Sequence, residues 1–410
     1  MKRLIGNGPE NTTFKGAINP GSNLSIESAA LGDVNVYGGT LSIQGGVVLN
    51  GVATTSGTAA VAFTGGTVTV VTSSGSSVTS TVVIQGGTIG TGGYVAGTAY
   101  IDSAILGDSQ TLTSEHSVVY IGSGGSMFDL NNGPQISMGP NVSVSALGIV
   151  FSGGSSTNVG ILRTSNGSAY YSNCVFSGCS VTANGLFYQL GNTARVEFED
   201  CMFSGNFATS NYAVFLRANN GYTRFASCTI TGNTARGYIL GATGAGDFRL
   251  SNCVFSSNTV TTNSPIGYTA GAKGFLESCV FSANSSTERL KNGRTLILGG
   301  TVSVVDCYAE PLVSAPAATA GVYISATCVC TISGGTYGTV QCPSSNTTLA
   351  GNLNFTYFSS GTVNITSGTS IALTSNMSCT AINVDGGCVV NGAVVSAGVY
   401  TNIDNTGRAS

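Results

Sequence analysis

Three observations predict that this 410-residue chain is all-β and winds as a single right-handed parallel β-helix (a β-solenoid), with coils of about 20–28 residues. A cysteine-centred motif returns at a nearly fixed interval. Glycine pairs recur, each followed by a β-branched residue. Only 8% of residues are charged, against about 25% in an ordinary soluble domain, while 42% are hydrophobic. β-Branched and small polar residues punctuated by glycine read as many short strands and tight turns.

Residues 1–28 carry Lys2, Arg3, Glu10 and Lys15 and show no repeat. A solenoid must cover its open end against edge-to-edge pairing. This segment is therefore expected to be an N-terminal cap, or else an attachment arm for a larger particle.

Residues 29–145 hold the glycine-pair coils. Ile43-Gln44-Gly45-Gly46-Val47, Phe63-Thr64-Gly65-Gly66-Thr67 and Ile84-Gln85-Gly86-Gly87-Thr88 follow one another at 20 and 21 residues. Glycine permits the corner and the β-branched residue restarts the strand. The stretch 101–145 breaks this register and is expected to contain loops or kinks.

Residues 146–310 carry the strongest signal. Cys174, Cys201, Cys228, Cys253 and Cys279 fall 27, 27, 25 and 26 residues apart, with a weaker copy at Cys307. Two residues after each of four of them stands Phe176, Phe203, Phe255 or Phe281. Residues two apart share a strand face, so Cys and Phe are expected to form one buried ladder. Asn206, Asn233, Asn258 and Asn284 close the copies and are expected to stack amide on amide inside a turn. Cys179 stands there in the first copy, so that turn is expected to pack differently. A bend such as Glu199-Asp200 precedes each Cys, and two further strands precede the bend. The coil thus reads as three strands and three turns.

Residues 311–410 are expected to be C-terminal coils, with Gly335-Thr336, Gly361-Thr362 and Gly387-Cys388 recurring at 26 and 26 residues. On this reading the coils are narrow first and wider later. Two prolines, Pro311 and Pro316, in Ala309–Ala320 mark a further loop or kink.

The net charge of −3, with no basic stripe, leaves nucleic acid without an electrostatic footprint. No apolar run is long enough for a membrane-spanning helix. Behind Met1-Lys2-Arg3 no apolar h-region follows, so a chain beginning here is expected to fold in the cytoplasm where it is made. The many Asn-x-Ser/Thr sequons, as at Asn11, Asn23, Asn141, Asn166 and Asn354, arise by chance in a chain of this composition. With no CxxC pair and one histidine, neither a metal nor another cofactor is expected. The cysteine ladder reads as buried, reduced packing, while a disulfide among Cys342, Cys379 and Cys388 stays open. Glu115-His116 has no nucleophile placed near it.

Outward positions four and six residues before each ladder Cys hold Tyr170, Glu197, Arg224, Arg249 and Phe275, and Ser168, Arg195, Tyr222, Asp247 and Lys273. This is the richest charged and aromatic stripe in the chain. It reads as a solvated face with paired charges, or as a face for a partner or cell-surface glycan. A carboxylate active site has less support, because no paired-Asp or histidine-containing motif accompanies it.

Phe203–Asn206, Phe255–Asn258 and Phe281–Asn284, with Ile230–Asn233 carrying Ile for Phe, resemble the FxxN repeats of polymorphic membrane proteins of the chlamydial type. The glycine-pair coils look more like generic autotransporter passengers. The first resemblance covers residues 149–307 and implies a β-helix. It lacks the family's other half, Gly-Gly-Ala followed by an aliphatic residue. With neither a leader nor a translocator barrel visible, the architecture also looks like a phage tail spike or fibre, which implies a virion appendage assembled in the host cytoplasm. Such appendages are often homotrimers, so a homo-oligomer, a trimer first, or a larger particle is expected. The alternative is an adhesin on a bacterial surface; the third class is a polysaccharide-degrading β-helix enzyme.

Overall fold

The structure is a computed structural model. It describes strands along the whole chain from Lys2 and, from about residue 143 onward, most side chains and connecting turns. No helix occurs among the described residues, and the strands pair in long parallel sheets: the chain is an all-β parallel β-helix. It divides into two compact units, Met1–Val181 with Leu186–Met202, and Thr182–Gly185 with Phe203–Ser410.

In the first unit, one parallel ladder runs through Lys2–Ile5, Leu24–Glu27, Thr40–Gln44, Ala60–Thr64, Thr81–Gln85, Thr98–Asp102, Ser117–Ile121, Ser143–Leu147, Ser168–Ser172 and Arg195–Glu199. A second parallel sheet of six strands runs from Thr13–Ile18 to Ile105–Leu106. Two expectations change here. Residues 1–28 are not set apart from the repeat, because Lys2 pairs with Leu24 and Leu24 with Leu41 in the same ladder as the later coils. Nor does 101–145 break register, since Thr98 pairs with Ser117 and Ser117 with Ser143. The physical reason is common to both. Parallel pairing is made by backbone groups and needs no signature residue in each coil. Glu115-His116 and residues 311–320 lie outside the described residues.

The second unit opens with wide coils of four strands, one more than the sequence suggested. One coil is Tyr212–Arg217, Tyr222–Ala226, Thr229–Thr231 and Thr234–Ala235; the next is Tyr238–Thr243, Asp247–Ser251, Val254–Ser256 and Thr259–Val260. The extra strand is the two-residue one after the Asn, which pairs Phe207–Ala208, Thr234–Ala235, Thr259–Val260 and Ser285–Ser286 in sequence. Two residues carry no alternation to read, so no pattern announced it.

Beyond residue 320 the coils narrow, which corrects the 26-residue repeat expected there. Val322 pairs with Val340, Asn354 with Ala372 and Ser370 with Val389, eighteen or nineteen residues apart. The recurring corners are Gly334, Gly351, Gly368 and Gly386, all at positive φ. Gly335 and Gly387 each follow one of these corners, whereas Gly361 lies within the strand Val329–Ile365.

The chain ends in antiparallel pairing. Cys388–Val390 folds back on Ala393–Val395, and Gly398–Asp404 runs against Asn376–Val384. The turn residues Asn391 (φ 45°) and Gly392 (φ 84°) have the paired positive φ of a type I′ hairpin. This hairpin ends the parallel stacking, as solenoid ends require.

Inside both units strands alternate buried and outward residues, as in Arg195–Glu199, where Val196 and Phe198 are buried. Phe151 stacks on Phe176 at 4.8 Å in the first unit, and Phe255 on Phe281 at 4.6 Å in the second.

Candidate functional site

Each cysteine of the ladder sits directly after a corner made by one residue in the left-handed region. These are Asn173, Asp200, Ser227, Asn252, Ser278 and Asp306, with φ of 48–53°. Asn and Asp tolerate this region through local hydrogen bonds, and serine is small. The corner turns the chain so that the following thiol points inward. Cys174 donates to Ala146 O and Ser172 O (3.3 Å each), Cys201 to Tyr171 O (3.4 Å), Cys228 to Ala226 O (3.2 Å), and Cys253 to Phe225 O (3.5 Å). The backbone N–H of Cys279 donates to Cys307 Sγ (3.4 Å). The thiol therefore both fills space and satisfies corner carbonyls, a role the sequence reading had given only to asparagine. Cys342, Cys379 and Cys388 are likewise free and buried. Burial pushes the Cys179 thiol up to about 12. The neighbouring Cys253 and Cys307 sulfurs, together with burial, raise that of Cys279.

A second left-handed corner precedes each asparagine: Gly205, Gly232, Ser257 and Ala283. There the amides form a continuous buried chain. Asn206 N–H and Nδ2 donate to Asn233 Oδ1 (3.0 and 2.9 Å). Asn233 does the same to Asn258 Oδ1 (3.0 Å each), and Asn258 to Asn284 Oδ1 (3.0 Å each). The remaining amide hydrogens reach Phe203 O, Ile230 O and Phe255 O. In the next coil Glu310 takes up the corner, its Oε2 accepting from Ala283 N–H (3.1 Å). No spacing rule pointed to Glu310, because it belongs to the end of the ladder.

The outer stripe is built by the strand before each corner. In the first unit Tyr170 stands opposite Glu197, and Ser168 opposite Arg195. Arg195 is ion-paired with Glu197 along the strand. Tyr170 O–H donates to Glu199 Oε2 (2.6 Å), and that bond holds the phenol above its ordinary range. Glu199 ends the strand Arg195–Glu199 and, as Tyr170's partner, belongs to the stripe rather than to the bend alone.

In the second unit Arg224 stands opposite Arg249, Arg249 opposite Phe275, and Asp247 opposite Lys273. Arg249 bonds Asp247 (3.3 Å) and lies over the Tyr222 ring, 5.9 Å from its centroid. Two guanidinium groups on adjacent strands repel; Asp247 and the face of Tyr222 offset that repulsion at Arg249. The stripe residues thus come together within each unit as an aromatic and charged face, with the half-exposed Arg249 held by Asp247 and Tyr222.

Among the described residues no cluster of three or more His, Cys, Asp or Glu has a metal-holding arrangement, and no helix is long and apolar enough to cross a membrane. In comparison with known proteins, no family model matches the chain, and neither a curated protein nor a solved structure matches it.

Proposed function

We propose that this chain is a structural and adhesive β-helix, an appendage of a virion such as a tail spike or fibre, whose outer stripe contacts a receptor glycan or a neighbouring subunit. The observation that supports this setting best is the set of twelve buried free thiols. Disulfides form in oxidising compartments. In a solenoid, successive ladder cysteines lie one strand spacing apart, about 4.8 Å, close enough to be bridged during folding. A chain folded in a reducing cytoplasm and released only on a finished particle keeps such a ladder intact. The outer face supplies the contact: Tyr222, Arg224, Arg249 and Lys273 stand on a rigid parallel sheet, pre-organised for a repeating or polyhydroxylated partner. The FxxN resemblance favours the second reading, a bacterial surface adhesin.

Light scattering of the purified chain, with and without SDS at room temperature, tests the proposal. A stable trimer, about three times 41.1 kDa, is expected. A clean monomer would favour the adhesin passenger instead.

A further inference from the structure

The narrow coils of the second unit carry a surface hollow of about 210 Å³ that is separate from the stripe. It lies where Ala372 stands in register between Asn354 and Asn391: Asn354 pairs with Ala372, and Asn391 N–H bonds Ile371 O (2.9 Å) one strand further on. Ala372 is exposed and its methyl is the low point of that row, flanked by two longer amide side chains. Phe355 and Leu373 point into the core, so strand backbone lies beneath that methyl, and the exposed Thr356 and Thr374 line the hollow beside it.

The polar groups here divide in two. Asn391 is committed, donating to Leu373 O (2.6 Å) and Asn405 O (2.8 Å) and accepting from Leu373 N–H (2.8 Å). It is a fixed rim. Asn354 Nδ2 donates to Thr336 Oγ1 (3.2 Å), which aims its Oδ1 outward. Among the described residues, that Oδ1 and the hydroxyls of Thr356 and Thr374 take part in no hydrogen bond. No carboxylate, ammonium or guanidinium lines the hollow, and its one phenol, Tyr337, is buried and donates to Gly334 O (3.0 Å). The volume is below the ~300–1,000 Å³ of drug-sized sites, leaving room for one ring.

We propose that this hollow binds a single ring of a neutral saccharide. Hydroxyl groups that both donate and accept match two threonine hydroxyls and an amide oxygen. The apolar face of such a ring matches the Ala372 methyl. The absence of charge in the lining disfavours sialic acid or a phosphate. The proposal rests on the adhesive reading and gives it a second contact point with its own chemistry.

The test is saturation-transfer NMR on the full chain with glucose, galactose, mannose, N-acetylglucosamine and N-acetylgalactosamine, and with sialic acid as the charged comparison. At least one neutral sugar is expected to be saturated. That signal is expected to vanish in Ala372→Leu, which fills the hollow from an exposed position, and to weaken in Asn354→Ala, with the thermal midpoint of both variants unchanged. No saturation by any neutral sugar, saturation by sialic acid alone, or a signal that survives Ala372→Leu overturns the proposal. Retention of the wild-type chain on immobilised lipopolysaccharide or mannan is measured alongside. Retention of the wild type without saturation by any neutral sugar sinks the hollow and keeps the adhesive reading; a wild type neither saturated nor retained sinks both.

Discussion

Asn258 is bonded on both sides of its coil: its Oδ1 accepts two hydrogens from Asn233, and its Nδ2 donates to Ile230 O and Asn284 Oδ1. Truncation leaves the buried N–H of Asn233 without this acceptor, and each unsatisfied buried group costs about 1–3 kcal/mol. Asn258→Ala is therefore expected to lower stability by about 2–5 kcal/mol in urea unfolding; a loss under about 1 kcal/mol would mean that water replaces the amide. Asp404 works at the surface. Its Oδ1 accepts from Thr406 Oγ1 (2.6 Å), Thr406 N–H (2.8 Å) and Arg408 N–H (3.0 Å), and these bonds, the Thr406 hydroxyl first, hold its carboxyl below the usual range. A depressed carboxyl contributes stability above its unfolded pKa and loses it as pH falls through the folded value. Amide exchange in residues 401–410 is expected to speed up below the ordinary Asp range, and Asp404→Ala to show that fast exchange at neutral pH. At this scale the asparagine ladder was legible because one residue type returned at coil spacing. Asp404 and Glu310 were not, since each acts once.

Two kinds of corner set the shape of a wide coil, and both use left-handed backbone. Ala283 has φ 51°, a conformation that costs an L residue about 1–2 kcal/mol, so Ala283→Gly is expected to stabilise by about 0.5–1 kcal/mol in the same urea measurement. Gly392 sits at φ 84° with open space where a Cβ would go. Gly392→Val thus tests backbone strain without a clash. It is expected to reduce amide protection across Cys388–Val395 and, by loosening the cap, to promote self-association visible in light scattering. The hairpin was written in the sequence as Val389-Val390-Asn391-Gly392-Ala393-Val394, an Asn-Gly pair between apolar runs. Reading the region as further coils hid it. The two-residue strand after each Asn is different, because it exists only through pairing with its copies.

Across the molecule, the thiols give the most direct check on where the chain folds. Denatured protein prepared from a reducing cytoplasm is expected to titrate 12 free thiols with Ellman's reagent; export through an oxidising compartment is expected to lower both that number and the yield. By itself the sequence determined the all-β solenoid, the buried Cys and Phe ladders, the asparagine stack and the outward stripe, since each repeats at the coil length and alternates along a strand. Only the tertiary structure decided the coil widths at the C-terminal end, the membership of residues 2–27 in the ladder, the fourth strand, the end cap and the hollow at Ala372. Those depend on which residues stand opposite one another in neighbouring coils, and register between coils is fixed by backbone pairing and corner geometry.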